Sequence, residues 1–297
     1  MFTLTGLLVA FVSGIFGAAV GALPAFIMVG FLVLAGVAIQ AAGGGGDYLG
    51  IAPFGAWGPH VGGFAAGVAA VAYAAKQGKH ETGRDILAGM MGKNSPDVLL
   101  VGGIFGIIGY VLNWLFAMPG AWTDSIALTV VVSAIIARFA FGKTGLLGKV
   151  AAGEKRYSPP AANCWVPWQH KPLQLLMIGL GAGTFSAYLA LAVPNGGGVV
   201  LGFGFAAASL VFLQFGTQIP VTHHIALPAA VAAAASGSLL WGLIFGVLAA
   251  FVGEFMANTF CAWGDTHIDP PAATIWPMTS LSILLATLGV YQMIPLF

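Results

Sequence analysis

Charge is the scarcest property of this sequence. Asp, Glu, Lys and Arg make up 6% of its 297 residues, against about 25% in soluble domains. So few charges cannot coat a globule of this length, and water is therefore not its main solvent. Ten Lys and Arg against nine Asp and Glu leave no basic excess to offer nucleic acid. Nucleic-acid binding and soluble enzymology are excluded. Cysteine is nearly absent too: Cys164 and Cys261 both fall on the side expected to be reducing, so no disulfide is implied. Gly43–Gly46 follows no strand and precedes no Lys-Ser/Thr, which rules out a P-loop. Nothing resembles a Ser/His/Asp triad, a Cys-x-x-Cys site or His-Glu-x-x-His. The opening run, MFTLTGLLVAFVSGIFGAAVGALPA, lacks a positive n-region and reads as a span rather than a secretory signal.

What the chain has instead is apolar sequence. Hydrophobic residues reach 59%, and a bilayer crossing needs about 20 mostly apolar residues. Candidate spans lie near 4–22, 24–42, 58–75, 98–118, 124–142, 172–193, 197–217, 221–236, 238–258 and 272–294. The expectation is an all-α polytopic membrane protein of about ten transmembrane helices. Two hydrophilic stretches interrupt them, 76–97 and 143–171. Lys76, Lys79, Arg84 and Lys93 lie in the first; Arg138, Lys143, Lys149, Lys155, Arg156 and Lys171 lie in or beside the second. Two spans separate the stretches, so both emerge on one face, and the positive-inside rule makes that face cytoplasmic. Both termini are then expected outside a multi-pass protein of the cell membrane.

The sequence also repeats itself. Gly102-Gly-Ile-Phe-Gly106 matches Gly242-Leu-Ile-Phe-Gly246, and Ala121-Trp-Thr-Asp124 matches Ala262-Trp-Gly-Asp265. Upstream, the run from His60 (HVGGFAAGVAAVA) matches the run from His223 (HHIALPAAVAAAA). The expected organisation is a first five-helix repeat over 1–142, a cytoplasmic linker over 143–171 and a second five-helix repeat over 172–297. An odd number of spans per copy makes the second enter the membrane from the opposite side, an inverted-topology repeat. Ammonium and urea channels and the amino-acid/sodium symporters share that plan, an analogy of architecture that assigns no substrate.

Outside the basic stretches the membrane part carries Asp47, Asp124, Glu254, Asp265, Asp269, His60, His223, His224 and His267, with no Lys or Arg. Charge at membrane depth is costly and usually functional or paired. A pathway with carboxylates and imidazoles but no fixed cation rejects anions and suits a cation or a small neutral donor. In each copy the third helix is short and opens through a Pro-interrupted approach to a His, and broken spans at matching positions point to a binding site. In Gly264-Asp-Thr-His-Ile-Asp-Pro-Pro271, alternate side chains of an extended backbone would bring Asp265, His267 and Asp269 together. That trio suits a divalent metal; the competing reading is that Asp265 or Asp269 caps the last helix, as Asp124 caps its own. Glu254 has Trp114 as its counterpart and is either paired or proton-coupled.

The function expected is a non-enzymatic membrane transporter or channel for a small cationic or neutral polar solute. Divalent metal ions and ammonium lead the candidates, followed by a urea-like neutral solute. The alternatives are a membrane-embedded metal-dependent enzyme using His223, His224, His267, Asp265 and Asp269, or a structural subunit. Beyond a possible divalent metal ion, no cofactor is implied. The expected partners are the lipid bilayer and the solute, with a second copy of the chain as a further candidate.

Overall fold

The structure is a computed structural model that describes residues 2–193 and 197–291. Among them it is all-helical, with no strand beyond isolated bridges. The helices are α1 (Leu4–Val20), α2 (Ala22–Ala41), α3 (Tyr48–Ile51, continuing as a π turn over Ala52–Ala56), α4 (Ala65–Lys76), α5 (Pro96–Ala117) and α6 (Ser125–Phe141). Then follow α7 (Pro172–Ala192), α8 (Gly197–Ser209), α9 (Val211–Gln214), α10 (His223–Ser236), α11 (Leu239–Met256, continuing as a π turn over Ala257–Cys261) and α12 (Pro270–Thr287). Five of the helical stretches are long and apolar enough to cross a membrane, and α1, α4 and α6 are shorter apolar helices. This is compatible with a membrane location. Each of the ten apolar stretches contains a helix, though the tail of the last, 292–294, lies outside the described residues. The stretch at 58–75 becomes helical only at Ala65, because 57–64 stays unwound.

Local chemistry sets the helix ends. Asp124 and Asp269 each sit extended at an N-cap and accept the backbone N–H three residues on, from Ala127 and Ala272, both at 2.8 Å. Prolines that have no N–H to satisfy open α5, α7 and α12. Gly21, at φ 99°, turns α1 straight into α2; a Cβ there would also meet the Ala88 carbonyl.

Small residues let helices approach closely. In the α1–α5 pair Gly14 lies against Gly102, and Gly106 against Ala10. In the α7–α11 pair Gly183 lies against Gly246, and Gly242 against Ala187. Helix α4 packs on α1, α5 and α6, and α10 packs on α7, α11 and α12. Two further pairs join these groups, and both run antiparallel. In α2–α8, Gly30 meets Ala207 and Ala208 while Gly204 meets Val33 and Leu34. In α6–α12, Thr123 bonds Ser280 at 2.7 Å while Arg138 reaches Thr266. The main apolar core runs through α2, α4, α6, α8, α10 and α12. The flanking helices turn large apolar side chains outward, such as Leu4, Leu8, Val12 and Phe16 on α1 and Leu240, Ile244, Leu248 and Phe251 on α11. A contiguous apolar exterior of this kind matches lipid rather than water.

Both basic stretches gather at one end of the bundle. Lys76 donates to the Ala140 carbonyl, and Arg84 donates to the carbonyls of Ala262 and Asn163. The stretch 143–171 folds back as a packed cover. Gln169 donates to the Val221 carbonyl and accepts the Val221 N–H, at 3.0 and 2.8 Å, and Trp168 donates to Ile219 at 2.8 Å. These bonds satisfy the extended backbone that leads into α10.

Candidate functional site

A cavity of about 590 Å³ lies between α2 and α8 on one side and α6 and α12 on the other. Its inner wall carries Ile126, Ala127 and Val130 from α6 and Pro271, Ala272 and Ile275 from α12. Phe26, Phe54, Phe64 and Phe203 form its aromatic sides. The mouth lies at the basic end, framed by Thr82, Arg84 and Asp85, by Trp165 and Trp168, and by Gly216–Gln218. A second cavity of about 400 Å³ opens between α1, α5 and the broken segment after α3, lined by Thr5, Tyr110, Asn113 and His60. It lies toward the N-terminus of α1 and the C-terminus of α5, away from the basic end. Phe54 lines both cavities.

The structure brings four of the sequence-derived candidates to the larger cavity. Asp124, His223, His267 and Asp269 all line it. Asp124 is 2% exposed and has no ion-pair partner among the described residues. Its neighbour Thr123 bonds Ser280, which at about 1.5 Å per residue lies about 16 Å further along α12 than Asp269. Asp269 both caps α12 and bonds His267 Nε2 at 3.2 Å, while Cys261 Sγ stands 3.7 Å from His267 Nδ1. His223 packs between Phe26 and Phe203, with ring centroids 4.7 and 6.0 Å away. Its Nδ1 is buried without a hydrogen-bond partner.

The remaining candidates lie elsewhere. His60 faces the second cavity, where its Nδ1 and the Asn113 Oδ1 are buried without hydrogen-bond partners among the described residues. His224 sits behind the wall against Trp165, at 5.5 Å. Glu254 accepts from Asn258 Nδ2 at 2.9 Å, one turn along the same helical stretch. Asp265 is occupied by the Lys143 N–H at 2.6 Å and the Thr144 hydroxyl at 2.7 Å. Burial pushes its carboxyl up, but those bonds and the nearby Arg138 guanidinium outweigh burial and hold it below the usual carboxylate range. Asp265 therefore turns away from the His267–Asp269 pair. Among the described residues no three His, Cys, Asp or Glu side chains converge closely enough to hold a metal ion.

Two findings revise the sequence picture. The capping counterpart of Asp124 is Asp269, not Asp265 as the Ala-Trp-x-Asp match suggests. Cations also reach the interior: Arg84 lines the cavity mouth, and Arg138 is buried at 1% exposure. Its guanidinium donates to Thr266 Oγ1 and to the carbonyls of Thr266, Leu146 and Phe260. It fixes the segment that carries His267. Sequence reasoning also passed over Trp165 and Trp168, although Cys-Trp-Val-Pro-Trp is unusually apolar for a solvated loop.

Comparison with curated proteins and with solved structures gives no match. The chain belongs to a family of unknown function (DUF7973), whose profile matches it twice, over residues 1–159 and over residues 148–296.

Proposed function

We propose that this chain is a membrane transporter or channel for a small cationic or neutral polar solute. It is built from two inverted five-helix copies, and the central cavity is its solute site. The carrying observation is that this cavity is walled by matched residues: Ile126 with Pro271, Ala127 with Ala272, Val130 with Ile275 and Asp124 with Asp269. All four pairs share one sequence offset. The antiparallel run of α2 against α8 and of α6 against α12 is what a twofold axis in the membrane plane requires of counterpart helices. The paired approach of α1 to α5 and of α7 to α11, and the two overlapping family matches, support the same duplication.

The gathering of Lys and Arg at the mouth end of the bundle supports a cytoplasmic position for that end, with both termini outside. In this reading the larger cavity is the inward-facing station and the His60 cavity an outer vestibule, with Phe54 between them. The decisive experiment is uptake into proteoliposomes of purified protein, across ammonium, divalent metal ions, urea, small amides and small organic amines. The expected result is saturable uptake of at least one solute, reduced by His223→Ala in protein that still inserts and folds. Uptake no faster than in protein-free vesicles for every solute, or uptake unchanged in the variant, overturns it.

A further inference from the structure

The geometry points to an organic amine with an apolar or aromatic body as the ligand of the central cavity, in place of ammonium, a metal ion or urea. The inference rests on the central cavity being the solute site, as proposed above. Size is the first argument. An ammonium ion is close to water in size, and a water molecule's share of liquid volume is about 30 Å³. The cavity holds about 590 Å³, within the range of sites that enclose molecules of drug size. A bare ion there would leave most of the wall uncovered.

The second argument is the chemistry of the wall. Phe26, Phe64 and Phe203 line the cavity. Such a surface gains nothing from a hydrated ion, but it covers a hydrocarbon or aromatic group and attracts a cation over a ring face. The third argument is the unmatched polarity at the deep end. Asp124 is buried, lines the cavity and has no ion-pair partner among the described residues. Bonds from the backbone N–H groups of Ala127 and Ile126, at the start of α6, leave carboxylate acceptor capacity unused, and a buried anion is costly unless paired. His223 is buried to more than nine-tenths and lines the same cavity, and its Nδ1 is buried without a hydrogen-bond partner among the described residues. A protonated amine supplies a positive charge and N–H donors for the Asp124 carboxylate. Arg84, the fixed cation of the lining, lies at the mouth and directs its guanidinium to the carbonyls of Ala262 and Asn163.

The test compares three probes of one shape, 2-phenylethylamine, 2-phenylethanol and phenylacetate. Binding to the full-length protein in detergent is measured by calorimetry and by thermal shift. The amine is expected to bind at least 10-fold more tightly than the alcohol, and phenylacetate weakest. Asp124→Asn keeps an N-cap oxygen, so α6 stays capped, while the charge is lost; it should remove most of the amine's advantage and leave alcohol affinity unchanged. Equal binding of amine and alcohol overturns the inference, as does an unchanged amine-to-alcohol ratio in Asp124→Asn. Displacement of the amine by equimolar ammonium, manganese or urea also overturns it. Proteoliposome flux separates the two claims. Amine binding without flux sinks the transport reading alone, whereas ammonium or metal flux without amine binding sinks the ligand class alone.

Discussion

Arg138 offers the most quantitative test of how the site is held. Its guanidinium makes four hydrogen bonds of 2.6–3.0 Å, to Thr266 twice and to the carbonyls of Leu146 and Phe260. Charge-assisted bonds contribute about 1.5–3 kcal/mol each, but several kcal/mol of guanidinium desolvation opposes them. Replacement by Met relieves that desolvation and fills similar space. It also strands three carbonyls and a hydroxyl, each costing about 1–3 kcal/mol when left without a partner. The net expectation for Arg138→Met is a loss of about 3–5 kcal/mol, the usual cost of breaking a buried charged network from one side. At about 2 °C per kcal/mol for a large chain, the melting midpoint in detergent should fall by about 6–10 °C. Arg138→Lys keeps the charge but has no planar fork to serve carbonyls on both sides, so it should recover less than half of that loss. The assay is a thermal melt followed by loss of the monodisperse chromatographic peak. A midpoint within 1 °C of wild type for Arg138→Met would refute the view that this residue secures the segment carrying His267 and Asp269.

Gly246→Leu should destabilise the α7–α11 pair by about 3 kcal/mol or more through overpacking, since a Cβ there would sit 2.6 Å from the Gly183 Cα. Gly181→Ala, with nothing within 4 Å, serves as its neutral control in the same melt. If the chain transports as proposed, Phe54→Ala should raise passive leak of the solute in proteoliposomes at least several-fold, because that residue lines both cavities; unchanged leak in folded protein would show that another element closes the path. Asp265 is held below its ordinary range in the fold. Its contribution is therefore present above about pH 4 and lost as pH falls through the lower folded value. Asp265→Asn should flatten the acid side of a stability profile below about pH 4 and do little to its shape near pH 7.

Much of the scaffold is legible in the sequence, because hydrophobic period and length are local properties. Every apolar stretch contains a helix, and proline and Asp mark the starts of α5, α6, α7 and α12. The unwound stretch at 57–64 is legible only as a Pro/Gly-rich approach to His60. The site is harder to read because tertiary partners decide it. Asp265 and Asp269 are equally good caps in the sequence, and the bonds from Lys143 and Thr144, far off in the chain, claim the first and leave the second to α12. Arg138 counts as a cytoplasmic charge by position, and it does sit near the basic end. Its burial follows from carbonyls in the 260–266 segment that need donors, which no local pattern reveals. The Trp165 and Trp168 rings had a visible signal, apolar residues inside a nominal loop, and the Gln169 clamp to Val221 explains why that loop folds inward.

The departures from symmetry matter more for function than the symmetry itself. With Asp124 matched to Asp269, residues Asp265–Ile268 stand between the Trp and the cap of α12 without counterparts before α6. That insertion supplies Thr266, which binds Arg138, and His267, which engages Asp269 and lies 5.9 Å from the Phe64 ring. One carboxylate on the inner wall is therefore already partnered by an imidazole, while its mate Asp124 has no ion-pair partner among the described residues. The histidines diverge in the same way, His223 entering the central cavity and His60 the outer one. A symmetric site would accept a polar solute in either orientation. Under the proposed amine-ligand reading, Asp124, the one carboxylate of the lining without an ion-pair partner among the described residues, would draw the charged end of a solute inward, and the aromatic rings would hold its apolar end toward the mouth.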